Sequence, residues 1–160
     1  MQVLFASSEV APFAKTGGLA DVSRDLPLAL SRLGSEVAIV MPAYRSVWQA
    51  GCDIQETGIR FELPIGSKIV KGSLLKSHLP QSQVPVYLVQ QDYYDRSELY
   101  QRDGEDYRDN CERFVFFCRA VMETPGQLGI NVDVLHANDW QTGLLPAYLK
   151  TEFAGVPSWE

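Results

Sequence analysis

The residues best equipped for chemistry lie in one stretch near the start of the chain, Ser7 to Asp21, which contains Glu9, Lys15, Thr16, Gly17, Gly18 and Asp21. Lys15 carries a full positive charge. The adjacent glycines let a ligand approach the backbone, and a helix starting just beyond them offers unbonded amides, so the combination favours an anion such as phosphate. The bland alternative is a tight turn with a solvated lysine. Two nucleotide motifs are excluded by residue order, because neither G-x-x-x-x-G-K-[ST] nor G-x-G-x-x-G is present. A second group follows a later apolar run: His136, Asn138, Asp139 and Trp140. Asp139 offers a carboxylate, and Trp140 either lies flat against a sugar ring or fills the core. His136 is a structural residue or a base, whereas His78 is expected on the surface. Glu9 reads as a catalytic carboxylate, a cap or an exposed side chain. No His, Cys and acidic cluster has metal-ligand spacing, and there is no G-x-S-x-G elbow.

Both groups need strands to aim them. Gln2 to Ala6 is an apolar run typical of a buried strand, and Leu19, Val22, Leu26, Ala29, Leu30 and Leu33 recur at helical spacing. The predicted helix runs from about Gly18 to Leu33, with a kink or break at Pro27 and a stop at Gly34. Glu36 to Met41 is a second strand, completing a right-handed βαβ unit. Pro42 to Asp53 is loop or short helix. Ile54 to Leu63, Ile69 to Ser77 and Val84 to Val89 read as short strands of a mixed or antiparallel insertion, the last returning to the main sheet. Gln90 to Glu105, rich in tyrosine and including Tyr94, shows no periodicity and reads as a long surface loop. Its tyrosines stack on carbohydrate or fold onto their own domain.

From Asp106 a helical stripe of Tyr107, Cys111, Phe114, Val115, Cys118, Val121 and Met122 runs to a stop at Pro125-Gly126. Val132 to His136 is a further strand, and Gln141 to Lys150 an apolar helix. No closing element is evident after Val156. The fold class is therefore α/β, a single domain over residues 1–160 with a mostly parallel Rossmann-like sheet flanked by helices. The loops Ser7 to Gly18 and His136 to Trp140 should open on one rim of that sheet.

Composition narrows the partners. With 14 Lys plus Arg against 20 Asp plus Glu the formal charge is −6, which argues against general binding to nucleic acid or anionic membranes. Cys52, Cys111 and Cys118 cannot all pair and contain no C-x-x-C, so they read as reduced. Cys111 and Cys118, seven apart on the predicted helix, are expected to face the core. With no leader pattern at Met1 and no apolar run long enough to span a bilayer, the expected location is the cytoplasm.

Val3 to Val22, containing Lys15-Thr16-Gly17-Gly18-Leu19-Ala20-Asp21, closely resembles the start of bacterial glycogen synthases and plant starch synthases. Further matches are Met41-Pro42-Ala43-Tyr44, Tyr94-Asp95-Arg96, Asp109-Asn110 with Arg113-Phe114, and His136 through Leu149. The resemblance covers nearly the whole chain. It implies a GT-B glucosyltransferase that moves glucose from ADP-glucose, sometimes UDP-glucose, to the non-reducing end of an α-1,4-glucan with retention and without a cofactor or required metal. This chain corresponds to the acceptor-side N-terminal half, its partner being a C-terminal nucleotide-binding domain.

The resemblance also assigns roles. Lys15 stabilises the leaving pyrophosphate, with Gly17 and Gly18 presenting amides. Glu9, Asp21, Tyr94, Asp139 and Trp140 lie on the acceptor and sugar side, and Asp139 positions or polarises the attacking hydroxyl. Asn138 stands where many bacterial members have a second histidine. The T-[IV]-H-N strand and the second domain lie beyond this sequence, so the 160 residues alone are expected to have little or no transferase activity. The alternative class is a non-catalytic module that binds malto-oligosaccharide or serves as a structural half. A weaker reading is another GT-B enzyme using a different sugar nucleotide.

Overall fold

The computed structural model describes residues 1–160. Strand β1 (Gln2–Ala6) leads through the Ser7 to Gly18 loop into helix α1 (Leu19–Arg32), and β2 (Glu36–Pro42) lies parallel to β1 with Val3 opposite Val37. Three strands follow, β3 (Gln55–Ile65), β4 (Lys68–His78) and β5 (Pro85–Gln90). After a two-strand hairpin, β6 (Gln101–Arg102) and β7 (Glu105–Asp106), come helix α2 (Asn110–Leu128), strand β8 (Val134–Ala137) and helix α3 (Leu145–Lys150).

The main sheet has the order β3-β4-β5-β2-β1-β8. Strands β5, β2, β1 and β8 run parallel, while β4 pairs antiparallel with both β3 and β5. The expected mixed insertion is thus the sheet's antiparallel wing, and β5 does return to the parallel part. Val3 to Ala6 of β1 and Val37 to Met41 of β2 are buried throughout, the near-continuous apolar pattern of strands covered on both faces.

The sheet order places the site. The chain leaves β1 on one side to form β2 and returns on the other side as β8, so a topological switch point falls between the carboxyl ends of β1 and β8. Both loops marked by their chemistry emerge there. Asn138 fastens them together, since its backbone N–H and its side-chain amide both donate to Ala6 O, at 3.1 and 2.9 Å.

Several local expectations are corrected. Helix α1 runs without a break through Pro27, whose ring is buried; the missing N–H leaves one carbonyl of the ladder unbonded while the apolar face stays packed. Helix α2 starts at Asn110 and continues past Pro125-Gly126 to Leu128. It ends where Gly129 turns left-handed at φ 67° and the Ile130 N–H reaches back to Pro125 O. Cys118 is buried, and burial pushes its thiol pKa up to about 12. Cys111 is exposed, because it sits in the first turn, ahead of the buried stretch that begins at Arg113.

Residues 90–105 are not a structureless loop, for they hold a 3-10 turn, Asp92–Tyr94, and most of the β6–β7 hairpin. The predicted last helix divides into a 3-10 turn, Trp140–Thr142, and α3. A closing element also exists, the Pro157–Trp159 turn, whose Trp159 indole donates to Met122 O at 3.0 Å. No helix is long and apolar enough to cross a membrane.

Candidate functional site

The Ser7 to Gly18 loop is shaped by Glu9, whose side chain points inward and is only 4% exposed. Its Oε2 accepts from the backbone N–H of Thr16 at 2.6 Å and Gly17 at 3.4 Å, and its Oε1 from Thr16 Oγ1 at 2.6 Å and Tyr100 OH at 2.8 Å. Two donors on each oxygen fill the ordinary capacity of a carboxylate. Glu9 therefore offers no free lone pair to a sugar; it builds the loop instead of lining the acceptor side. The Gly17 amide, expected to face a phosphate, is committed to Glu9.

The rest of the loop remains open to a ligand. Lys15 Nζ lies 2.6 Å from Asp21 Oδ2, both side chains well exposed, a pair worth about 0–1 kcal/mol that an incoming anion can compete with. Asp21 thus sets the reach of Lys15. A side chain at Gly17 or Gly18 would meet no atom within 4 Å, and Gly18 sits at φ −69°, so neither packing nor backbone conformation demands glycine there. What the glycines keep clear is the approach to the first amides of α1. Those of Gly18 and Leu19 have no protein acceptor.

On the β8 side, Asp139 has φ 65° and ψ −179°, a conformation that costs a non-glycine residue about 1–3 kcal/mol. Its Oδ1 caps the following turn by accepting from Trp140 N–H at 2.7 Å. The strained turn presents Trp140 outward, 55% exposed, with its ring edge-on to Tyr100 and Phe114 at 5.9 and 5.1 Å. His136 is partly buried and stacks on Phe5 at 4.6 Å, which favours its structural reading.

The third wall comes from the tyrosine-rich stretch Gln90 to Glu105. Tyr94, expected on the acceptor side, has no exposed surface, and its hydroxyl donates to Arg113 O at 2.8 Å. Tyr100 stands at the rim in its place. Its hydroxyl donates to Glu9 and accepts from Ser8 Oγ at 2.8 Å; burial, with Glu9 alongside, raises the phenol pKa far beyond physiological pH. Arg113, fully buried on α2, holds this wall by donating to Tyr93 O, Leu99 O and Asn110 Oδ1 at 3.0, 2.9 and 2.6 Å. The walls enclose a cavity of about 510 Å³ bordered by Lys15, Thr16, Ser46, Tyr100, Asp106 and Trp140. Lys15 and Trp140 are brought together there, whereas Glu9 and Tyr94 stay behind the surface. The signal that could have found Tyr100 is its place in the aromatic loop, although sequence alone does not say which tyrosine turns outward.

Residues 2–159 match the family model described as the starch synthase catalytic domain. The chain belongs to that family. It is 49% identical over 158 residues to a glycogen synthase of Syntrophotalea carbinolica, covering 98% of the chain and 32% of that protein. It is 42% identical over 160 residues to a glycogen synthase of Rhodopirellula baltica, covering 94% of the chain and 32% of the relative. The catalytic domain of starch synthase IV from Arabidopsis thaliana, bound to ADP and acarbose, superposes with a TM-score of 0.83 at 29% identity, covering 99% of this chain and 32% of that one. The mixed, mostly parallel sheet is thus that of the GT-B starch synthase catalytic domain. The chain spans about a third of the length of the relatives it matches.

Proposed function

We propose that this domain is the acceptor-side half of a retaining glucosyltransferase that moves glucose from ADP-glucose to the non-reducing end of an α-1,4-glucan. A second GT-B domain supplies most of the nucleotide site. The observation that carries the reading is the cavity at the β1/β8 switch point, with Lys15 on one wall and the exposed Trp140 on the other. Relatives named glycogen synthase and a similar structure that holds ADP and acarbose support it.

Negative charge builds on the departing diphosphate during transfer, so a cation and amides fixed at that point lower the barrier more than they tighten substrate binding. Lys15 and the unbonded amides of Gly18 and Leu19 take this role, with Gly17 keeping their approach clear. Asp21 holds Lys15 until the phosphate arrives. Asp139 commits Oδ1 to its own turn and uses Oδ2 to orient the attacking hydroxyl. Trp140 supports the acceptor sugar through its exposed ring. Glu9 and Tyr94 act indirectly, one through the Lys15 loop and the other through Arg113. Three unpaired cysteines accord with a cytoplasmic setting.

The test is Lys15→Ala in the whole protein, assayed for transfer from ADP-glucose to maltoheptaose. A fall in kcat of about a hundredfold is expected for the loss of one charge-stabilising group. Unchanged transfer would remove the phosphate role from Lys15. A non-catalytic glucan-binding module is favoured instead if maltoheptaose binds and no donor supports transfer.

A further inference from the structure

Beyond Ser97, which borders both, the cavity between Lys15 and Trp140 adjoins a second concavity of about 560 Å³, lined by Arg45, Asp95, Arg96, Ser97, Arg102 and Tyr107. Three guanidinium groups border it against one carboxylate, in a chain whose formal charge is −6. Asp109 and Asp103, outside the lining, offset part of this charge. Arg113 restores it: fully buried, its guanidinium lies 5.0 Å from the Tyr107 ring and donates only to Tyr93 O, Leu99 O and Asn110 Oδ1, with no carboxylate of its own. A local excess of cations on an acidic molecule concentrates anions there.

The arginines are held without being used up. Arg45 Nε lies 2.7 Å from Asp95 Oδ1 and its Nη2 donates to Asp95 O at 3.1 Å, which leaves Nη1 without a protein acceptor. Arg96 gives both Nη groups to Asp109 at 2.8 and 2.5 Å and stacks over the Tyr107 ring at 4.3 Å, which leaves its Nε free. Arg102 makes no hydrogen bond, since its Nε is 3.6 Å from Asp103 Oδ2, and its side chain is 77% exposed. It belongs to the β6–β7 hairpin at the rim, so it can swing onto a ligand that the two tethered arginines hold. Guanidinium groups match phosphate oxygens in geometry as well as in charge. The volume lies within the range of roughly 300–1,000 Å³ seen for small-molecule sites, with room for more than a bare phosphate.

We propose that the Arg45–Arg96–Arg102 groove is an anion site for the phosphate monoester of a small polyhydroxy molecule, such as a sugar phosphate. Arg45 and Arg96 take the phosphate through their spare N–H groups, and Arg102 closes over it. Asp95 and Ser97 border the space left for the hydroxyls of the carrier. Such an ester is close to doubly charged at neutral pH, because its second ionisation falls near pH ~6. The site is separate from the Lys15 loop and needs nothing from the transferase reading.

The experiment is calorimetry on the whole protein at low salt, with inorganic phosphate and fructose 6-phosphate as separate probes. It compares the wild type with Arg45→Ala/Arg102→Ala and with Lys15→Ala. Both substituted arginines are exposed, so the double variant should fold, and Arg96 is left in place because it anchors Asp109. The wild type should bind fructose 6-phosphate with a Kd about tenfold below that of inorganic phosphate. The double variant should raise both Kd values about tenfold, for the loss of one or two charge-assisted hydrogen bonds, whereas Lys15→Ala should leave them within about twofold. No binding to the wild type, or Kd values unchanged in the double variant, would overturn the site. Weakening by Lys15→Ala alone would put the anion in the Lys15 cavity, and equal Kd values for the two probes would mark a site for free phosphate; either result overturns the proposal. Binding is read without turnover, so the outcome stands whether or not the protein transfers glucose.

Discussion

Glu9→Gln keeps the side-chain volume but replaces one acceptor oxygen with a nitrogen that can only donate, although all four groups facing this side chain are donors. At the Oε2 position the nitrogen opposes two backbone N–H groups, and at the Oε1 position the Thr16 and Tyr100 hydroxyls must reverse to accept from it, so either orientation loses charge-assisted bonds in a buried site. The expected cost is about 1–3 kcal/mol of stability, with faster hydrogen exchange at the Thr16 and Gly17 amides. A variant with unchanged exchange at these two amides would show that the loop holds itself. The contrast with Lys15 is instructive. Lys15 lies at the surface in a pair that costs little to open, so its loss should affect catalysis far more than folding.

The elements that present the site depend on clips between loop and helix. The Arg96 guanidinium holds the Asp109 carboxyl pKa below its ordinary value of 3.8, even though partial burial opposes the shift. A carboxylate whose pKa is lowered by folding adds stability above its unfolded pKa, and that stability is lost as pH falls through the folded value. Melting of the wild type should therefore decline below about pH 4 more steeply than that of Asp109→Asn, with the two curves parallel near neutrality. Closer to the sheet, a Cβ on Gly72 of β4 would lie 2.7 Å from both Gln90 O and the Phe116 ring. One of these contacts is backbone, so the strand cannot relieve it by a rotamer change. Gly72→Ala should cost about 1–3 kcal/mol in denaturant unfolding, as overpacking does.

These elements were unevenly legible in the sequence. The βαβ start and the rim shared by the two loops could be read because apolar runs and Gly34 punctuate the chain clearly. The β6–β7 hairpin was missed although Asp103-Gly104 is its signature, with both residues at positive φ; two-residue strands leave no alternation to read. Tyr94 and Tyr100 could not be told apart, since their directions depend on a 3-10 turn and on the distant anchor Arg113. The saturation of Glu9 was equally hidden, because Tyr100 reaches it across ninety-one positions of chain.

At the scale of the whole molecule, the order β2-β1-β8 brings residues far apart in sequence to one crevice, and the strained turn at Asp139 completes its rim. The division of labour is spatial. In the proposed function, Lys15 and the start of α1 serve the donor's phosphates, while Trp140 and Tyr100, across the same cavity, serve the glucan. Glu9 joins the two sides by holding the Lys15 loop with one oxygen and Tyr100 with the other.

That division is tested most directly by steady-state transfer from ADP-glucose to maltoheptaose, comparing Lys15→Ala with Trp140→Ala in the whole protein. Lys15→Ala should lower kcat about a hundredfold with little change in acceptor KM, whereas Trp140→Ala should raise acceptor KM about tenfold with a smaller effect on kcat. The same pattern of change in both variants, or an acceptor KM that ignores Trp140, would contradict a crevice divided between phosphate and glucan.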